Sequence, residues 1–117
     1  YYDIHLQPLE DRGLLTLPKV FPHNKVNHHL YAIICRSEQE RTKLIAHLAT
    51  RNISAVFHYI PLHSSPAVKI FTRTMVGGLP VTDRISSHLL RLPVYYDITI
   101  EEQNYVVNAL NDFYQSM

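Results

Sequence analysis

The sequence has one cysteine, three glycines and no long apolar run, and its charges nearly cancel. The lone Cys35 excludes an internal disulfide framework, and inside Leu30-Tyr31-Ala32-Ile33-Ile34-Cys35 it reads as a core residue suited to a reducing compartment. No apolar run approaches the roughly 20 residues of a membrane helix. The start, Tyr1-Tyr2-Asp3-Ile4, lacks both the basic and the apolar region of a signal peptide. We therefore expect a soluble, unexported, cytoplasmic protein with no membrane partner. Eleven Lys and Arg against ten Asp and Glu leave a net charge of +1, which gives no electrostatic footprint for nucleic acid.

Several chemical signatures are missing too. Neither a second cysteine nor an H-x-x-x-H spacing accompanies the eight histidines, so we expect no metal site. The histidines are instead expected to face solvent or to hydrogen-bond a ligand, His58 and His63 being the one tempting pair for a metal. No G-x-S-x-G elbow is present to activate Ser64, and Gly77-Gly78 lacks the lysine and further glycines of a phosphate loop.

What is present fits one domain of 117 residues, long enough to bury about two-thirds of its unfolded surface. Tyr1 to Leu6 reads as the tail of an amphipathic helix entered midway and broken by Pro8 and Gly13, so a fragment of a longer protein is the economical expectation. Residues 12–29 have the composition of a loop. Residues 30–35 predict a strand buried on both faces or nearly so, and His28 and His29 before it are expected to divide between core side and solvent. Ser37 and Glu40 form an S-x-x-E capping box before a helix over about 38–51, with Leu44, Ile45, Leu48 and Ala49 on its face and Arg51-Asn52 at its end. Residues 53–59 predict a strand with Val56 and Phe57 near the core. A short helix follows over 65–71, with Pro66 in its first turn. Residues 72–78 are expected to be mobile. Thr82 is read as the cap of a helix reaching about Leu90, and Leu90-Arg91-Leu92-Pro93-Val94 as an edge strand closed by its proline. Thr99 and Glu102 form a second capping box, before a helix whose Val106, Val107, Leu110 and Phe113 share one face. The order predicts an α+β two-layer sandwich: a small, largely antiparallel sheet with helices on one face.

The segment Phe57-His58-Tyr59-Ile60-Pro61-Leu62-His63-Ser64-Ser65-Pro66 concentrates the chemistry. Two imidazoles, a phenol and two hydroxyls follow a strand, and two prolines keep them out of helix and sheet. Tyr59 reads either as amphipathic packing with a wet hydroxyl or as a ligand contact. Arg91 reads either as an exposed strand residue or as a long cation reaching an anionic ligand.

These residues carry a resemblance. Ala55-Val56-Phe57-His58-Tyr59-Ile60-Pro61-Leu62-His63-Ser64-Ser65-Pro66-Ala67, then Leu79-Pro80-Val81-Thr82-Asp83-Arg84, then Leu90-Arg91-Leu92-Pro93-Val94-Tyr95 and the closing helix resemble the C-terminal domain of the DegT/DnrJ/StrS sugar aminotransferases, over nearly the whole chain. The resemblance implies the small C-terminal domain of the aspartate aminotransferase fold, in a homodimeric pyridoxal-phosphate enzyme that aminates a dTDP-linked 4-keto-6-deoxyhexose, with glutamate as donor. It implies that the large N-terminal domain of the same chain supplies the Schiff-base lysine and most cofactor contacts. Lys19, Lys25, Lys43 and Lys69 lie in unrelated surroundings, so no catalytic residue and no bound cofactor are expected in this piece, and it is expected to be inactive alone. By the same resemblance Tyr59, His63 and Ser64, with His58 beside them, are carried over as contacts to the nucleotide sugar.

Two other readings come from different classes. One is a small ferredoxin-like regulatory ligand-binding module, which would need a further pairing strand after Phe113. The other is a protein-interaction domain using an apolar patch left uncovered.

Overall fold

The computed structural model describes residues 1–71 and 78–117. The expectation of mobility at 72–78 therefore lies almost wholly outside the described residues. Within them the chain runs α1 (Tyr2–Asp11), β1 (Leu15–Thr16), β2 (Tyr31–Cys35), α2 (Glu38–Ala49), β3 (Val56–Phe57), α3 (Pro66–Phe71), α4 (Pro80–His88), β4 (Leu89–Leu92) and α5 (Ile100–Gln115). The strands form an antiparallel sheet in the order β1-β2-β4-β3. Helices α1, α2 and α5 pack together over one face, giving the expected two-layer α+β architecture.

The closing helix is built as its sequence predicts. Glu102 N–H donates to Thr99 Oγ1 at 3.1 Å and Thr99 N–H donates to Glu102 Oε2 at 2.8 Å, satisfying two orphan amides reciprocally. The Thr99 backbone N–H, and after it the Tyr95 hydroxyl, hold the Glu102 carboxyl below its usual range. Val106, Val107, Leu110 and Phe113 are all buried along one face. In α2 only half of the expected box forms. Ser37 Oγ accepts from Glu40 N–H at 3.1 Å, but the Glu40 carboxylate turns to Arg36 Nε at 2.8 Å and to the Tyr114 hydroxyl at 2.9 Å. Glu40 is thereby a buried carboxylate with its partners in place, joining α2 to α5. Leu44 and Leu48 are buried and Ile45 half-buried, while Ala49 is exposed.

Two helix ends use the same device. In α1 Leu14 N–H reaches the Leu9 carbonyl at 3.0 Å and Gly13 N–H the Glu10 carbonyl at 2.7 Å, with Gly13 at φ +68. In α2 Ile53 N–H reaches Leu48 and Asn52 N–H reaches Ala49, both at 3.0 Å, with Asn52 at φ +57. Both are Schellman closures around a left-handed residue, which glycine and asparagine tolerate best. Pro8 does not break α1 as expected; it lies inside the helix. It removes the hydrogen bond to the Ile4 carbonyl, at a residue exposed enough for water to substitute.

The strands depart most from expectation. Strand β1 lies within the stretch read as loop, and Leu15 and Leu17 on either side of Thr16 are buried. Strand β4 is central, not an edge, because β2 pairs on one side and β3 on the other; Pro93 falls just past the strand end and removes no ladder bond. Strand β3 is two residues long, and Val56 and Phe57 are exposed, so the residues that enter the core are Ile53 and Ala55. The register explains the two side chains. Val56 shares the uncovered sheet face with Ala32 and Arg91, while Phe57 lies at the sheet edge with the Arg41 guanidinium 5.7 Å from its ring centre. In β2 only Ile33 and Cys35 are buried, so it is covered fully on one face. His28 and His29 are both exposed, neither turned to the core. Helix α4 starts with Leu79 as its cap and Pro80 at its first position, leaving Thr82 inside, and it passes into β4 at Leu89 without a loop.

The core has no polar gaps at its centre. Leu6, Ile33, Leu44, Leu48, Leu90 and Leu110 are each fully buried, and Cys35 packs with them. Burial, then the nearby Glu40 charge, pushes the Cys35 thiol up to about 12.

Candidate functional site

The segment after β3 is held more by its own backbone than by packing. Pro61 sits at φ −57, ψ 137 and starts a single 3-10 turn over Leu62–Ser64, closed by Ser64 N–H to the Pro61 carbonyl at 2.9 Å and Ser65 N–H to the Leu62 carbonyl at 3.0 Å. Ser65 is extended, as the residue before Pro66 should be. Tyr59, Ile60 and Leu62 consequently stand in solvent, at 77%, 70% and 78% exposure.

Of the four site residues predicted from sequence, the structure brings two to one place. His58 and Tyr59 line an open cavity of about 710 Å³ together with Val56, Phe57, Ile60, Leu62 and Arg91. Their rings meet edge to face, centres 4.8 Å apart. His58 Nδ1 and Arg91 Nε are both buried atoms with no hydrogen-bond partner among the described residues. Both atoms belong to residues that line the cavity beside its apolar walls, and a buried polar atom without a partner carries a desolvation cost that a partner would relieve. Arg91 is half-buried on the open sheet face, at the wall of this cavity.

His63 and Ser64 are not on that cavity's lining. Ser64 is half-buried. His63 is turned to α4, where its Nε2 lies 2.7 Å from Asp83 Oδ1. Asp83 had no place among the sequence-predicted site residues. Its motif was visible, but a contact across 20 positions has no signature in one sequence. Ser86 and Ser87 of α4 and Arg41 of α2 line a second cleft of about 270 Å³ with His58, Tyr59 and Pro61. The segment therefore has a cavity on each side.

Among the described residues no lysine lines either of these two cavities, and Lys43 is exposed on α2. No group of three or more His, Cys, Asp or Glu among the described residues is placed to hold a metal ion. No helix among them is long and apolar enough to cross a membrane.

Comparison with known proteins places this geometry. An uncharacterized protein of Methanocaldococcus jannaschii is 31% identical over 112 residues, covering 93% of this chain and 28% of that protein. The crystal structure of a DegT DnrJ EryC1 StrS aminotransferase from Brucella abortus superposes with a TM-score of 0.79 at 26% identity, over 94% of this chain and 28% of that one. DesV of S. venezuelae, solved in complex with a ketimine intermediate, gives a TM-score of 0.79 at 25% identity, over 93% of this chain and 29% of that one. This chain thus spans under a third of the length of these relatives. Residues 1–111 match the DegT/DnrJ/EryC1/StrS aminotransferase family, and the chain belongs to that family.

Proposed function

We propose that this chain is the C-terminal, substrate-covering domain of a pyridoxal-phosphate-dependent sugar aminotransferase. In this reading the parent enzyme aminates a dTDP-4-keto-6-deoxyhexose with glutamate as donor. The motif wording supports the dTDP-4-amino-4,6-dideoxygalactose transaminase of enterobacterial common antigen synthesis as the nearest relative in function. The large N-terminal domain of the same polypeptide holds the cofactor, the enzyme is a cytoplasmic homodimer, and this piece alone is inactive.

The observation that carries the reading is the shared cavity of His58, Tyr59 and Arg91, with two buried polar atoms left unpaired on its wall. Tyr59 offers an aromatic face to the apolar side of a deoxysugar and a hydroxyl to its oxygens. Arg91 offers its guanidinium to an anionic group of the substrates, and His63 and Ser64, off the cavity's lining, are proposed contacts by the resemblance alone. Among the described residues none has the chemistry to form the cofactor's covalent link at this wall, so the assigned work is binding and orientation.

The test is kinetic. In the full-length enzyme Tyr59→Phe and His63→Ala are expected to lower kcat/KM for the nucleotide sugar by about 5- to 150-fold, the loss of one good hydrogen bond, while the cofactor stays bound. Wild-type kinetics in both variants would remove this segment from the site.

A further inference from the structure

Among the described residues, the bond from His63 to Asp83 is the one side-chain hydrogen bond that ties residues 58–64 to the rest of the domain. Little else restrains that stretch. Strand β3 before it is two residues long, the 3-10 turn is internal, and Tyr59, Ile60 and Leu62 pack on nothing that buries them. Yet His63 itself is well covered, with its side chain only 16% exposed, and its partner is on a regular helix. Asp83 occupies the first turn of α4, where the helix dipole favours a carboxylate, and its backbone N–H is fixed to the Leu79 carbonyl at 2.9 Å. A helix-mounted acid thus grips a loop-mounted imidazole.

The chemistry of that grip is directional. A carboxylate only accepts, so Nε2 must carry the hydrogen and donate it to Asp83. No hydrogen bond among the described residues engages the second ring nitrogen, Nδ1, which lies outside the lining of the two cavities. An orienting carboxylate on one imidazole nitrogen is the general way in which the role of the other is set.

Resting on the site proposed above, we infer that Asp83 is a positioning residue for nucleotide-sugar binding: it acts through His63, fixing that ring so that Nδ1 meets a polar group of the substrate. Asp83 touches no substrate itself. Its removal loosens the ring and, with it, the segment that carries Tyr59 and Ser64. The role is one of binding, so it appears in KM and leaves kcat nearly alone.

The experiment has two arms. In the first, histidine-labelled wild-type protein is expected to show a slowly exchanging imidazole Nε2–H proton for His63 by nuclear magnetic resonance. Asp83→Ala should lose that signal and Asp83→Glu should keep it. In the second arm, the full-length enzyme carrying Asp83→Ala is expected to raise KM for the nucleotide sugar by about 5- to 30-fold with kcat within about 3-fold, and Asp83→Glu to recover most of the loss. A His63 signal that persists in Asp83→Ala overturns the inference whatever the kinetics. If His63→Ala raises KM and Asp83→Ala does not, the inference falls and the proposed site stands. If neither variant changes KM, both fall together.

Discussion

Leu110 and Leu62 are the same residue used in opposite ways. Leu110 is fully buried in the face that α5 turns to the sheet, whereas Leu62 is 78% exposed on the segment after β3. The contrast extends to the polar groups around each. On the helix side the buried Glu40 has both Arg36 and Tyr114 as partners, and the buried Tyr114 hydroxyl is satisfied in turn. On the loop side His58 Nδ1, Arg91 Nε and, from the side of α2 that faces the loop, Arg41 Nε are buried with no partner among the described residues. One region has spent its apolar surface and hydrogen bonds on folding. The other keeps both in reserve, which suits the binding role proposed above.

That comparison can be broken by mutation. Leu110→Ala is expected to cost about 2 to 5 kcal/mol of stability, through lost transfer free energy and the cavity left behind. Leu62→Ala should change stability by less than about 0.5 kcal/mol, as should Lys43→Ala on the exposed side of α2. Denaturant midpoints check all three. Equal midpoints for Leu110→Ala and Leu62→Ala would erase the distinction between the regions.

A smaller effect is expected from the polar half of the core. Glu40→Ala leaves the Tyr114 hydroxyl and the Arg36 guanidinium without their acceptor and should cost about 1 to 3 kcal/mol, read from the same midpoints. Tyr114→Phe, which takes away the donor and leaves Glu40 with Arg36, should cost less.

The pH dependence sharpens the same point. Burial, as the largest cause, raises the Cys35 thiol from 9.0 to about 12 and the Tyr2 hydroxyl from 10.0 to about 12, and raises Tyr31 and Tyr114 as well. A raised acid keeps its proton in the fold while the unfolded chain gives it up. The folded state therefore binds more protons above about pH 9, and stability should decline as pH climbs from about 9 toward 12. Urea midpoints measured across that window check the sign, and Cys35→Ala should flatten the first part of the decline.

The two regions also differ in how far a single sequence discloses them. The closing helix was legible because its capping box and apolar face are local, three and four residues apart. The Ser37 box was legible only by half, since Glu40 is drawn away by Tyr114, 74 positions later. Strand β1 escaped detection because two residues carry no period. The central place of β4 escaped because pairing on both sides depends on partners distant in sequence, and Pro93 read as an edge signal lies beyond the ladder. At the candidate site residue type and prolines singled out the segment that holds His58 and Tyr59, and the resemblance to the family offered them as substrate contacts. Asp83 was not found, because its part comes from a contact made only once α4 is in place.

Amide hydrogen exchange on the full-length enzyme, with and without a dTDP-linked deoxysugar, tests the central claim most directly. The account expects ligand to slow exchange across residues 58–64 while the amides of α5, already protected by the core, stay as they were. Unchanged exchange at 58–64 in enzyme saturated with the nucleotide sugar would contradict the account, because the segment would then cover no substrate.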